Sequence, residues 1–520
     1  MTKYGFVIDH RKCIGCHACT LACEAENDVP LGGFRTWVKY IEKGEFPHTR
    51  RYFTIERCQH CEDPPCVEIC PTRSLFKRAD GIVDFAPEAC IGCKSCMQAC
   101  PYDALYIDPR SHTAAKCHYC AHRVDRGLLP ACVVVCPTKA ILAGDLEDPT
   151  SELQQTLARE QVQVRRPDQG TRPQVFYVGA DETIITPGLA LQPPMYLWAQ
   201  VGPRDVDLEP KGALVRDGQP LVGPQGNAGA RAVTVYDVPH PKPWGWKVAA
   251  YLWTKALGAG ALLVAAPLLA AGFAGGTLRL GAPLLALLFT ALTAGLLIWD
   301  LKRPERFWRV VATPNLRSWL PWGAYILIAY TVLAALWGLA AGAGAEGLLR
   351  TLMWPAALLG AAAAGYSAFL FGQAEGRDFW QSPLLLPQLL ASAVMAGAAA
   401  LLLGVLVAEP RASALAGVLA TVLLGAVVVN LLIVLMEYYA LHPNKDAATA
   451  AALVKHGPYA GRFWGGYVLV GAVVPALLLW AVVGAGAPAA LGGLAALLAL
   501  AGLWLYEDVW IRAGQSVPMS

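Results

Sequence analysis

Cys90-Ile91-Gly92-Cys93-Lys94-Ser95-Cys96-Met97-Gln98-Ala99-Cys100-Pro101 sets four thiols at the spacing C-x2-C-x2-C-x3-C-P. Three thiolates this close can wrap one cubane of iron and sulfide, and the fourth then reaches a different one. Gly92 suits that geometry, because a residue without Cβ lets backbone amides approach the sulfurs. The pattern recurs on both sides of this stretch. Upstream lie Cys13-x2-Cys16-x2-Cys19-x3-Cys23, with its own Ile14-Gly15 pair, and Cys58-x2-Cys61-x4-Cys66-x3-Cys70-Pro71. Downstream lies Cys117-x2-Cys120-x11-Cys132-x3-Cys136-Pro137. The four groups use all sixteen cysteines of the chain, the number that four cubanes require.

Zinc ribbons are the competing use of C-x2-C pairs. Zinc takes four tetrahedral ligands, usually from two separated pairs, and gains nothing from a third cysteine two residues on. Proline after three of the four runs also favours iron–sulfur ligation. Disulfides are not expected. The first residues show no charged segment followed by an apolar one, so no signal peptide is read, and thiols in a reducing compartment stay reduced.

Composition divides the chain of 520 residues into at least two domains. Cysteines and most charges lie in the first 240 positions, and Ala, Leu, Gly and Val dominate the rest. The net charge of +3 and the lack of a long basic run exclude nucleic acid as a partner. Short apolar stretches at 4–8, 82–85 and 105–107 read as the small strands of a cysteine-rich α+β domain, and 172–178 as a late strand. Lys12, Arg73, Lys77, Lys94 and Lys139 lie near cysteines in sequence and could raise cluster potentials, although a solvated surface is the default for most such cations. Residues 201–243, rich in Pro, Gly and Asp without periodicity, read as a linker or surface wrap.

From 248 onward, apolar runs long enough to span ~30 Å of hydrocarbon recur. Eight helices are expected, near 248–272, 280–300, 319–341, 350–372, 384–407, 413–436, 465–486 and 489–507. On the side shared with the cysteine domain, the connecting segments carry Lys242, Lys247, Lys302, Arg303, Arg306, Arg309, Arg317, Arg377, Lys445, Lys455, Arg462 and Arg512. The far side carries Arg279, Arg350 and Arg411. Positive loops mark the cytoplasmic side, so the cysteine domain is expected to face the cytoplasm from the inner membrane. Leu296-Leu297-Ile298-Trp299-Asp300 resembles Leu431-Leu432-Ile433-Val434-Leu435-Met436-Glu437, and Trp322-Gly323-Ala324-Tyr325 resembles Trp464-Gly465-Gly466-Tyr467. A spacing of four helices preserves direction, so two parallel four-helix repeats are expected. No histidine falls inside an expected span, His442 and His456 sharing one loop. A membrane haem needs axial histidines, so none is expected, and a diffusible quinone is the membrane-soluble redox partner that remains. Asp300 and Glu437 are candidate proton relays, since acids near hydrocarbon are costly. Glu375, Asp378, Glu507 and Asp508 read as solvated helix caps.

The cysteine frame, over roughly residues 3–200, resembles the four-cluster electron-transfer subunits of the DMSO reductase and polysulfide reductase family. The resemblance implies a ferredoxin-like α+β domain in two pseudo-repeats, its groups paired first with fourth and second with third. One cluster then takes Cys13, Cys16, Cys19 and Cys136, and another Cys23, Cys117, Cys120 and Cys132. A third takes Cys58, Cys61, Cys66 and Cys100, and a fourth Cys70, Cys90, Cys93 and Cys96. Some relatives replace the second cysteine of the third group, but Cys93 is present, so four complete 4Fe–4S clusters are implied. The second half, over roughly 240–510, resembles the NrfD-type quinone subunit of polysulfide reductase. Trp246 to Gly260, Arg303-Pro304-Glu305-Arg306-Phe307-Trp308 and Gly365-Tyr366-Ser367 carry that resemblance. It implies a quinone headgroup near Tyr251, Lys255, Asp300 and Tyr366. One relative uses His and Asn on the first helix where this chain has Tyr251 and Lys255, which is a departure.

Together these readings imply two units, residues 1–200 and 244–520, joined by the 201–243 linker: a four-cluster α+β domain and an all-α membrane domain of eight helices in two repeats. The implied function is electron transfer between a catalytic subunit with a molybdenum or tungsten pterin and menaquinone or ubiquinone. No pterin or substrate site is read in this chain, so it is expected to be one subunit of a larger oxidoreductase. A redox-driven proton pump resembling alternative complex III, a hydrogenase-linked module and a zinc-stabilised transporter are the competing readings.

Overall fold

The computed structural model of the chain describes residues 2–45, 47–190, 215–216, 219–220 and 232–520. Tyr4–Asp9, expected as a strand, lies inside a four-stranded sheet. It pairs antiparallel with Ile141–Asp145 and parallel with Val175–Val178, which in turn pairs with Val162–Gln163. The chain therefore returns to its starting strand after all four cysteine groups. Leu75–Lys77 pairs with Val83–Phe85, and Leu105–Ile107 with Ala114–Lys116. These two hairpins, each behind a cysteine group, are the small strands of the α+β domain.

Residues 36–57, for which the sequence signals no element, form a long hairpin, Thr36–Glu45 against His48–Arg57, with Ala232–Tyr236 as a third antiparallel strand. The end of the expected linker is thus sheet, because alternation in Ala-Val-Thr-Val-Tyr finds an open edge almost two hundred residues upstream. The rest of that segment, 201–214, 217–218 and 221–231, lies outside the described residues.

Eight helices long and apolar enough to cross a membrane follow, at Trp246–Ala270, Thr277–Asp300, Trp319–Gly342, Glu346–Gly372, Leu385–Ala408, Ser413–Tyr439, Gly461–Ala485 and Ala489–Gly514. Seven agree with the expected spans to within about one turn. The eighth runs to Gly514, seven residues past the expected end, so the charged run Glu507-Asp508 lies within the helix. The first helix is the hub, with 78% of its most apolar stretch buried against protein, whereas the second and third bury 28%. Small residues permit this. Gly260 crosses Gly397 of the fifth helix so closely that a Cβ on either would strike the other's backbone. The first and fifth helices, equivalent in a four-helix repeat, therefore cross at the centre of the bundle.

One continuous apolar cluster joins the two halves. It contains Cys58, Cys70, Cys90, Cys96 and Cys100 from the N-terminal part with Trp244, Val248, Tyr251, Phe371, Trp380 and Trp510 from the membrane part.

Candidate functional site

The cysteines meet through tight left-handed turns. Gly15 and Gly92 have φ of 70° and 68°, and the residues after Cys16 and Cys93, His17 and Lys94, have φ of 58° and 65°. Two short helices, Ala18–Glu26 and Ser95–Ala99, start from these turns and carry the next cysteines inward. Cys13, Cys16, Cys19 and Cys136 line one cavity with Val38, Ile55 and Ile141. Cys23 has Cys117, Cys120 and Cys132 as neighbours, and Cys66 has Cys58, Cys61 and Cys100. Cys70, Cys90 and Cys93 surround Cys96. Among the described residues no three His, Cys, Asp or Glu side chains converge tightly enough for one ion.

Donors point at the sulfurs, as ligands carrying negative charge require. The Gly92 and Ala114 amides donate to Cys90 Sγ at 3.3 and 3.4 Å, and the Ala140 amide to Cys136 Sγ at 3.2 Å. Arg57, fully buried, donates to Cys132 Sγ at 3.4 Å while its guanidinium lies 4.5 Å over the Phe6 ring. Lys116, also fully buried, donates to the carbonyls of Val83 and Cys117. The cations singled out in the sequence lie elsewhere, and Lys12, Arg73 and Lys139 are exposed. Lys12 and Lys77 pair with Asp9 and Glu62. Lys94 alone of that set is buried. Arg57 and Lys116 each directly precede a cysteine, which is the signal available in the sequence.

The quartet of Cys70, Cys90, Cys93 and Cys96 sits on the membrane helices. Trp244 Nε1 donates to the Cys93 carbonyl at 3.2 Å, and Asn315 Nδ2 to the Cys70 carbonyl at 2.9 Å. Arg306 donates to the Cys90 carbonyl at 3.0 Å, and the amides of Lys302 and Arg303 to those of Gly92 and Ile91. The Arg303–Trp308 segment that carries the family resemblance is thus a docking loop. A Cβ on Gly376 would lie 2.6 Å from the Cys100 carbonyl oxygen, so glycine is needed for this approach. Arg377 beside it donates to Gln98 at 2.8 Å, and burial lowers its pKa to about 10.

A second tie lies at the side of the same junction. His240 Nδ1 is 2.5 Å from Asp103 and its Nε2 is 3.2 Å from Asp237, whose other oxygen is 3.6 Å from Lys39. Burial alone would lower the imidazole pKa, but the Asp237 and Asp103 carboxylates outweigh it and raise it to about 9.

Beneath the quartet the structure brings Tyr251, Lys255 and Tyr366 together, all buried. Lys255 Nζ donates to the Ala364 carbonyl at 3.0 Å and to Ser367 Oγ at 2.5 Å, and lies 4.8 Å over the Tyr366 ring. Asp300, at the end of the second helix, is held by Lys94 at 2.7 Å and acts electrostatically on Tyr251. Glu437 occupies a different pocket. Tyr506 donates to it at 3.2 Å, the Tyr506 ring packs 4.8 Å from Tyr467, and Tyr467 donates to Asn430 at 2.7 Å. Asn430 continues to Ser392 at 2.9 Å. Among the expected caps, Asp378 is paired with Arg166, and Asp508 with Arg462 and Arg512. Glu507 is buried, contrary to its reading as a solvated cap, because the eighth helix continues past it into protein.

Comparison with known proteins matches residues 234–518 to the family described as "Polysulphide reductase, NrfD", and residues 12–75 and 49–146 to two descriptions of a 4Fe-4S dicluster domain. One tetrathionate reductase subunit of Salmonella typhimurium is 42% identical over 203 residues, 38% of this chain and 81% of that protein. One polysulfide reductase polypeptide of Wolinella succinogenes is 41% identical over 181 residues, 34% of this chain and 94% of that protein. Protein NrfC of Escherichia coli is 44% identical over 179 residues, 34% of this chain and 80% of that protein.

Proposed function

The chain belongs to the polysulphide reductase NrfD family, and on that premise we propose that it carries electrons between a catalytic oxidoreductase subunit and a membrane quinone. The carrying observation is the seating of one cysteine quartet, through Trp244, Asn315 and the Lys94–Asp300 pair, directly over the buried group Tyr251, Lys255 and Tyr366.

The four neighbourhoods are the ligand sets: Cys13, Cys16, Cys19, Cys136; Cys23, Cys117, Cys120, Cys132; Cys58, Cys61, Cys66, Cys100; and Cys70, Cys90, Cys93, Cys96. Four 4Fe–4S clusters held there supply one-electron steps between the partner and the membrane. The chain's own residues do the rest. Arg57 and Lys116 place fixed positive charge beside the sulfurs, and the amides of Gly92, Ala114 and Ala140 compensate thiolate charge. Lys255 and the tyrosine hydroxyls of Tyr251 and Tyr366 supply hydrogen-bond donors for a quinone oxygen. Lys94 keeps Asp300 engaged at the junction, so Asp300 orients the docking loop and shapes the field at the pocket mouth. The membrane helices contain no histidine to ligate a haem, which supports a diffusible quinone as the redox partner there.

Ile14, Leu21, Leu128, Leu129, Val134 and Val135, all close in sequence to cysteines of the first and fourth groups, are exposed, in keeping with a face for the catalytic subunit. That subunit carries a molybdenum or tungsten pterin on this reading. The charge bias of the loops supports a cytoplasmic iron–sulfur part and helices in the inner membrane. A second reading, redox-driven proton translocation, is favoured by the buried polar chain from Glu437 through Tyr506 and Tyr467 to Asn430 and Ser392. Acidification of proteoliposomes during turnover separates the two.

The test is anaerobic addition of a hydroquinone to the purified chain, followed by EPR. Reduced-cluster signals are expected in wild type, and Lys255→Met abolishes them while keeping its iron. A wild-type protein with full iron that no hydroquinone reduces, and whose reduced form no quinone oxidises, overturns the proposal.

A further inference from the structure

The eighth membrane helix delivers a carboxylate to the quinone group that its sequence position conceals. Glu507 is 3% exposed, and neither of its oxygens reaches a partner among the described residues. Its electrostatic neighbours are Lys255 and Tyr251, one turn apart on the same face of the first helix. Trp253 fixes that helix pair by donating from Nε1 to the Leu500 carbonyl at 2.9 Å.

An isolated carboxylate in hydrocarbon is expensive, so a purely structural acid would close on its cation. Here it does not. Lys255 spends two of its three N–H donors on Ala364 and Ser367, and Glu507 stands opposite without contact. An acid and a base held facing each other but unjoined fit a polar molecule between them. The same helix shields this acid from its neighbours. Tyr506 turns to Glu437 on the sixth helix, and Asp508 is taken up by Arg462 of the seventh and by Arg512.

We propose that Glu507 is the proton-exchanging carboxylate of the quinone pocket; this rests on the quinone reading above. In the oxidising direction both O–H bonds of the hydroquinone break and their electron pairs form the two carbonyls of the product. Two electrons leave one at a time to the iron–sulfur part. The two protons pass in turn to the Glu507 carboxylate, which gives each up to water before taking the next. Lys255 holds the substrate oxygen and keeps the pocket neutral while Glu507 is ionised. Quinone reduction is the reverse. The titratable and charged groups facing this carboxylate are Lys255 and Tyr251 of the first helix, with Tyr366 of the fourth beyond Lys255. Tyr506 and Asp508 flank it on its own helix, linked to Glu437 and Arg462.

The test compares Glu507→Gln, Glu507→Asp and the control Asp508→Asn in the full chain. It reads iron content, the EPR signals with dithionite, and the rate of cluster reduction by hydroquinone from pH 5.5 to 8.5. Glu507→Gln is expected to keep iron and dithionite signals and to lose at least about 100-fold in the rate at saturating hydroquinone, the scale of general-base catalysis. Its pH dependence flattens, its apparent KM stays within about threefold, and Glu507→Asp recovers most of the rate. A Glu507→Gln protein that reacts at the wild-type rate with the wild-type pH profile overturns the inference and leaves the quinone reading standing. Loss of iron in Glu507→Gln overturns it too, as the mark of a structural acid. Wild-type protein that no hydroquinone reduces, and whose reduced form no quinone oxidises, overturns the quinone reading itself, and the inference with it.

Discussion

His240 gives the junction between the two halves a measurable pH dependence. Its imidazole lies between Asp103, three residues past Cys100, and Asp237, which the Ala232–Tyr236 strand brings up. Burial opposes the imidazolium, but Asp237 and Asp103 more than offset it, raising the pKa from 6.5 to about 9. That gap is worth roughly 3 kcal/mol of preference for the charged ring in the folded state. A raised folded pKa means the contribution is complete below pH 6.5 and is lost as pH climbs through about 9. Other buried histidines do not titrate in this window, since burial holds His10 at about 4 and His118 at about 3. Hydrogen exchange of the backbone amides at 232–238, corrected for the intrinsic rate, reads the local opening. From pH 6.5 to 9.5 the opening constant is expected to rise by about 100-fold, the equivalent of roughly 3 kcal/mol. His240→Gln should open as readily at pH 6.5 as wild type does at pH 9.5, and show no step. Equal wild-type protection at both pH values, or the same step in His240→Gln, refutes the reasoning.

Three further outcomes follow from the contacts at the cysteine groups. Gly92→Ala puts a Cβ 2.6 Å from Lys302 Cβ and 2.9 Å from the His112 carbonyl oxygen at a φ of 68°; left-handed strain and overpacking together cost about 2–5 kcal/mol, read as a lower temperature of iron loss. Lys94→Met strands Asp300 and weakens docking by about 1–3 kcal/mol, and adding Asp300→Asn recovers most of it in a double-mutant cycle on protease resistance. Arg57→Gln removes the buried cation beside Cys132, so the clusters of the first and fourth cysteine groups become harder to reduce in an EPR-monitored titration, with iron content retained.

Much of this architecture was legible because its signals are local. Cysteine spacing is set by how few residues can wrap a cubane, and long apolar runs are set by the thickness of hydrocarbon. What was missed depends on distant partners. Ala232–Tyr236 looks like linker until the edge of Thr36–Glu45 is in place to receive it. Glu507-Asp508 resembles a helix end in any local reading, yet the helix continues to Gly514 and its faces send one acid inward and the other to arginines. Arg57 and Lys116 look like surface charge, and burial among sulfurs and carbonyls is visible only after folding. The Tyr251, Lys255 and Tyr366 group was found through family resemblance, whereas the Ser367 contact and the pairing of Asp300 with Lys94 needed coordinates.

The claim on which the rest depends is that sixteen thiolates hold four cubanes. Iron, acid-labile sulfide and zinc measured on the same anaerobically purified sample test it directly. About sixteen iron and about sixteen sulfide per chain are expected, with zinc near zero. About four zinc per chain with no sulfide would contradict it.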